Sequence, residues 1–337
     1  MSTQTKEIIE NLKANKELTI VGPSYSDPNN LRIYSYGGLI GGIPVNDLSW
    51  WKLPDENYLN VEFKGNDKDA LDKYLKAKDS LDKFLSGEKN CKNNRDKKQY
   101  RQTLYSNPEF ISAITTFAKE RFTSLSSTEQ QERAIQTKIV KKYLSEKKEN
   151  SFIVCDMEHC VPKKEYSDGC TTYLTQYENY FSEPTNYKEK TPKFDIIAIN
   201  PDSKKIGFIE LKCNKKACLN GSGLKVHLKD TLASMDLPRV RERIADRFAC
   251  LRDFGFLPAE LKGIESAFLD YKAFCGFLFV KGTDLQTKAS AIEICETALE
   301  EILIGENDIK DRLLFLFAEN ADSVNLNEMQ PWDEFCK

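Results

Sequence analysis

The sequence predicts an α/β protein, a mixed sheet flanked by helices, preceded by a smaller α+β domain. Three observations predict it. Past residue 128, strand-like apolar runs alternate with segments of helical periodicity, the pattern of a sheet covered by helices. Two of these runs, KFDIIAIN and KKIGFIELKC, flank a short turn-rich loop and read as a buried hairpin. Residues 1–125 instead mix short strands with charged helices. The polar, Ser-rich stretch Ser124–Thr128 marks a boundary between an accessory domain, 1–125, and a second domain, 126–337.

Taken in order, an amphipathic opening helix is followed by the strand-like pieces ELTIVG and LRIYSY, and GGLIGG reads as a Gly-rich turn. From Asn66 to Arg101, Leu71, Tyr74, Leu75, Leu81, Phe84 and Leu85 form one apolar stripe on a solvated helix. Another helix covers Pro108–Arg121. Thr128 is a candidate N-cap for the helix that follows, whose Ala134, Ile135, Ile139, Tyr143 and Leu144 share a face. A strand is expected at Ser151–Met157, a long polar loop at 160–192, and then the hairpin. Helices at Leu224–Ser234 and Arg239–Phe254, a strand at Phe274–Val280, a helix near Ala289–Leu303 and a strand at Leu313–Ala318 complete the series.

Composition excludes several classes. With 49 Lys+Arg against 52 Asp+Glu the net charge is −3, so any nucleic-acid contact must be local rather than a general basic coat. The charged N-terminus has no apolar signal core and no run approaches a membrane span, so the expected address is the cytoplasm and no membrane partner is expected. The ten cysteines are too sparse for a disulfide scaffold and several sit in apolar runs, so they read as reduced thiols filling the core.

The chemistry gathers between Pro192 and Cys213. Pairing Asn200 with Lys205 leaves the four-residue loop Pro201–Lys204, and that register sets Asp195 across from Glu210. Alternation then puts Lys212 on the same face as Glu210, with Leu211 opposite. Two carboxylates about 5 Å apart repel by roughly 3 kcal/mol at an effective dielectric near 20. A divalent cation with hard oxygen preferences relieves that repulsion better than Lys212 alone.

Asp195 followed by Glu210-Leu211-Lys212 on two adjacent apolar strands resembles the PD-(D/E)xK nuclease superfamily, over roughly residues 128–281. The resemblance implies a restriction-endonuclease-like core whose order of helix, three strands, helix and strand matches the elements read above. It implies Mg²⁺ or Mn²⁺ held by Asp195, Glu210 and the Leu211 carbonyl, with a glutamate of the first helix, Glu132 or in reserve Glu129, assisting. Lys212 would complete the catalytic set, and the activity implied is hydrolysis of nucleic-acid phosphodiester bonds, with DNA the expected partner. Phe194 stands where the family motif has Pro, and the 160–192 insertion is long.

Context selects this Glu-x-Lys from four. Glu62-Phe63-Lys64 follows Pro54-Asp55 too closely for a hairpin, Glu146-Lys147-Lys148 ends a charged helix, and Glu260-Leu261-Lys262 follows a helix-start proline. Asp156 and Glu158 share a face of the preceding strand and are further candidates to approach the site. Between Asn186 and Lys229, ten Lys face Glu189, Asp195, Asp202 and Glu210, a local charge of 10 − 4 = +6 that suits a phosphate backbone. Lys225, His227 and Lys229, opening the next helix, are the candidate substrate contacts. Two other functions compete. One is a zinc module using Cys155, His159, Cys160, Cys170, Cys213 and Cys218, which lacks tight Cys-x-x-Cys knuckles. The other is a nuclease fold that binds nucleic acid without cutting it, against which the intact Asp195, Glu210 and Lys212 argue.

Overall fold

The computed structural model describes residues 3–24, 27–36, 38–46, 50–60, 63, 67–123, 125, 127–145, 151–181, 191–219, 223–282, 284–305 and 308–337. The chain divides into two compact units, Met1–Thr137 and Lys138–Lys337. The division falls inside a helix that begins at Ser127, rather than in the polar stretch ahead of it.

The first unit opens with α1 (Thr3–Ala14), then β1 (Leu18–Val21), β2 (Asn30–Ser35) and β3 (Gly38–Pro44), an antiparallel sheet in that order. The Gly-rich segment is therefore a strand, not a turn. Its glycines are a packing requirement: a Cβ on Gly41 would collide with the Tyr105 hydroxyl, which donates to the Lys52 carbonyl at 2.5 Å. The short α2 (Glu56–Leu59) precedes α3 (Lys68–Ser86), which Asp67 caps by accepting from the Asp69 and Ala70 amides. The expected long helix ends at Ser86 and restarts as α4 (Asn94–Ser106), capped in turn by Asn93. Helix α5 (Pro108–Thr123) fills the core with Phe110, Ile114 and Phe117, and Tyr74, Leu81 and Tyr105 close around them.

Helix α6 (Ser127–Ser145) buries Ile135, Ile139, Val140 and Tyr143. In the second unit β4 (Ile153–Cys160), β5 (Lys193–Asn200), β6 (Lys205–Lys212), β7 (Lys272–Val280) and β8 (Leu313–Ala318) form one sheet in chain order. The first three strands run antiparallel to one another, and β6, β7 and β8 run parallel. Parallel neighbours require crossover connections. Here α8 (Lys215–Leu219), α9 (Leu224–Ser234) and α10 (Pro238–Asp253) join β6 to β7, and α11 (Lys288–Ile304) precedes β8. The fold is thus α/β, with a five-stranded mixed sheet, a three-stranded antiparallel sheet and flanking helices.

The expected loop after β4 departs most from the sequence reading. It contains α7 (Lys163–Gly169), continued by a π turn and a 3₁₀ turn to Tyr180. Long-range contacts hold it: Tyr166 donates to Asp230 of α9 at 2.6 Å, and Gly169 packs so closely on the Ala233 carbonyl that a Cβ would overlap it. Residues 182–190, with Lys188 and Lys190, lie outside the described residues. A final helical turn, Trp332–Phe335, stacks Phe335 on Phe315 of β8. Among the described residues no helix is long and apolar enough to cross a membrane, and all ten cysteines are free thiols.

Candidate functional site

The hairpin register is the expected one, running from Asn200↔Lys205 to Ile196↔Ile209. Asn200 shapes the turn, its side-chain oxygen accepting from the Asp202 and Ser203 amides at 3.1 and 3.0 Å. Beyond Ile196 the strand departs from simple alternation. Phe208 pairs with Ile197, so strict alternation would set Phe194 on the other face, yet the Phe194 and Phe208 rings meet edge-on at 5.2 Å. Where the ladder ends, Asp195 Oδ2 accepts a hydrogen bond from the Leu211 amide at 2.8 Å. The carboxylate is thereby fastened to the backbone between Glu210 and Lys212.

Glu210 and Lys212 are 6% and 5% exposed, and burial of that depth makes an unbalanced charge costly. They balance each other, with Lys212 Nζ 2.9 Å from Glu210 Oε1. His227, on the first turns of α9, brings Nε2 to 3.1 Å from the same oxygen. The structure therefore brings Lys212 and His227 to the Glu210 carboxylate, and Asp195 to the Leu211 amide; the expected Asp195–Glu210 pair is not part of the ladder. Lys225 is drawn instead to Glu301 of α11 at 3.1 Å, and Lys229 lies half-buried on the same helix. Glu132 is half-buried on the part of α6 that belongs to the first unit, and the side chain of Glu129 lies outside the described residues.

The field of Glu210 reaches a neighbouring strand. Burial pushes the Cys275 thiol up to about 12, and Glu210 adds to the rise while a hydrogen bond with Thr231 opposes it. Cys275 is consequently a protonated, unreactive thiol at neutral pH.

Asp156 belongs to a second cluster. It is fully buried and is held by Arg247 of α10 and by His159 Nδ1 at 2.8 Å. In a regular strand, residues three apart face opposite ways, but Glu158 has a φ of +52° and turns His159 back toward Asp156. Glu158 itself stands 3.9 Å from Lys193. These charges fasten α10 to β4, as Arg243 and Glu165 fasten α10 to the helix after β4. Sequence reasoning did not anticipate the buried Arg247, and the Asp-x-x-His spacing in a strand was the signal available. The positive charge counted along the chain is also reduced in space, because Lys215 and Lys225 meet Glu293 and Glu301 of α11.

Two carboxylates and a backbone carbonyl are a hard-oxygen donor set of the kind Mg²⁺ uses, since it takes one or two carboxylates and completes its shell with water and substrate phosphate. A cage supplied wholly by protein is a different matter: among the described residues no group of three or more His, Cys, Asp or Glu is arranged to hold a metal. The zinc module finds no such cluster among the described residues. No family model matches the chain, and neither a curated protein nor a solved structure shows a significant match to it.

Proposed function

We propose that the second unit is a nuclease of PD-(D/E)xK type, a restriction-endonuclease-like core that hydrolyses phosphodiester bonds in nucleic acid, DNA foremost, with Mg²⁺ or Mn²⁺. The observation that carries the reading is the hydrogen bond from the Leu211 amide to Asp195, which joins the acid of β5 to the Glu-x-Lys segment of β6. The sheet order and the crossover helix after β6 agree with the order of elements that the resemblance implies.

In this reading Asp195, Glu210 and the Leu211 carbonyl would hold the cation. Bound there, the cation supplies a Lewis acid for the phosphoryl oxygens and a more acidic water. Lys212 balances Glu210 before substrate arrives and then orients the attacking water or the scissile phosphate, an interaction that counts when charge develops on phosphorus. His227 fixes the Glu210 carboxylate from α9.

Incubation with single-stranded DNA, duplex DNA and RNA, each with Mg²⁺ or Mn²⁺, tests the reading. Metal-dependent cleavage that Asp195→Ala abolishes is expected. No cleavage of any substrate with either metal refutes it. The engagement of one Glu210 oxygen by both Lys212 and His227 favours a second reading, a nuclease fold that binds without cutting. Tight binding without cleavage in the same panel would select it.

A further inference from the structure

The first unit contains an open cleft of about 750 Å³ that the proposed cleavage chemistry does not use. It lies between the segment after β3 and helices α3 and α4, within the size range of sites for small ligands, roughly 300–1,000 Å³. Leu53, Leu59 and Leu85 give it a half-buried apolar floor. Cations stand around that floor, and they differ in what they already hold.

Arg101 is committed to Glu88, with Nη2 and Nε at 2.7 and 3.1 Å from one carboxylate oxygen, and Lys52 meets Asp27 at 2.9 Å. The guanidinium of Arg101 also stands 5.6 Å from the Trp50 ring. Among the described residues, Lys89 and Lys97 line the cleft with no ion-pair partner, against the single unmatched carboxylate of Asp82. The cleft thus offers two available ammonium groups above an apolar surface, with an aromatic ring at its margin.

An acidic peptide would answer the charges and leave the leucine floor uncovered. A nucleotide answers both, because its phosphate is anionic and its base is flat and apolar on its faces, the combination on which sequence-independent single-strand binding relies. We propose that this cleft holds one or two nucleotides of a single-stranded nucleic acid, with phosphates at Lys89 and Lys97 and a base over Leu53, Leu59 and Leu85. The proposal rests on the nucleic-acid reading above and adds a binding surface remote in sequence from Asp195.

The test uses the full chain, a labelled single-stranded oligonucleotide and chelator, so that binding is read without cleavage. Lys89→Ala/Lys97→Ala should weaken binding about tenfold and flatten the plot of log affinity against log salt by about 1.4, two contacts at roughly 0.7 each. Lys89 is exposed and Lys97 half-buried, and neither forms an ion pair among the described residues, so the fold should survive the change. Unchanged affinity and slope overturn the proposal, as does displacement of the strand by an equal concentration of a mononucleotide. Preference for duplex over single strand also overturns it. If cleavage is absent with every substrate but binding depends on the two lysines, the nuclease reading falls and the cleft stands. If cleavage is present but binding ignores them, the reverse holds.

Discussion

Replacing Lys212 by Met separates a metal site from a buried salt bridge. Lys212 Nζ and Glu210 Oε1 are 2.9 Å apart, which at an effective dielectric near 20 is a gross attraction of about 6 kcal/mol. Desolvation of two groups only 5–6% exposed cancels much of that. The net effect of removing one partner is therefore dominated by the charge left behind, typically about 3–5 kcal/mol. His227, still 3.1 Å from Glu210, sets the expectation at the lower end of that range. Methionine keeps the apolar stem, so little of the loss comes from packing. Urea unfolding gives the stability of both proteins, and repeating it with Mg²⁺ gives the decisive quantity. A cation that binds the folded state at 100 times its Kd adds about 2.7 kcal/mol. In Lys212→Met the cation meets a carboxylate relieved of its competitor, so the Mg²⁺-induced gain should exceed that of the wild type. Cleavage should fall by about 10²–10³ even so. A variant as stable as wild type would refute the buried pair. Equal stabilities with and without Mg²⁺ in both proteins would refute the metal site.

Other outcomes follow from the same geometry. Asp195→Asn retains an oxygen able to accept from the Leu211 amide, so it should fold like the wild type while losing Mg²⁺ affinity in calorimetry; Asp195→Ala should lose both the affinity and about 1.5–3 kcal/mol of stability. Arg247→Ala should cost about 3–5 kcal/mol by leaving Asp156 buried without its guanidinium, read as a lowered denaturation midpoint. Stability should also fall between about pH 9 and 12. The Cys275 thiol ionises near 9 when unfolded and near 12 when folded, so the native state binds more protons across that window, and its advantage is present below 9 and lost as pH rises. Denaturation midpoints that stay level through this range would contradict the burial assigned to Cys275.

What the sequence revealed was what local chemistry determines. Strands β5 and β8 and helix α9 were legible to the residue, and β6 to within one residue at each end, because apolar runs bounded by turn residues leave few alternatives. The hairpin register was legible for the same reason, a four-residue loop fixing the pairs from Asn200↔Lys205 to Ile196↔Ile209, though not the expected Asp195–Glu210 pair beyond them. Strand β3 was not, because its Gly41 answers to Tyr105, a residue far along the chain. The helix after β4 was hidden likewise: its sequence is polar and Tyr-rich, and its stability comes from Asp230 and Ala233 of α9. Charge counted along the chain near the hairpin overstated charge in space, because the neutralising Glu293 and Glu301 arrive from α11.

The candidate site sits at the limit of that legibility. Register and alternation place Asp195, Glu210 and Lys212 together, but only while β5 stays paired with β6, and that ladder runs no further than Ile196. Strand β5 goes on pairing with β4 as far as Lys193 but no longer with β6, and there the Phe194 ring meets Phe208. An amide left without an acceptor in a buried setting would cost about 1–3 kcal/mol, and the Asp195 carboxylate fills that vacancy. The same irregularity that defeats the alternation rule thus brings the acid of one strand against the backbone of the next. A regular hairpin would have kept Asp195 in a cross-strand pair. Past the end of the ladder its carboxylate is fastened instead to the Leu211 amide, beside Glu210 in the chain, and the proposed donor set depends on that departure from the sequence rule.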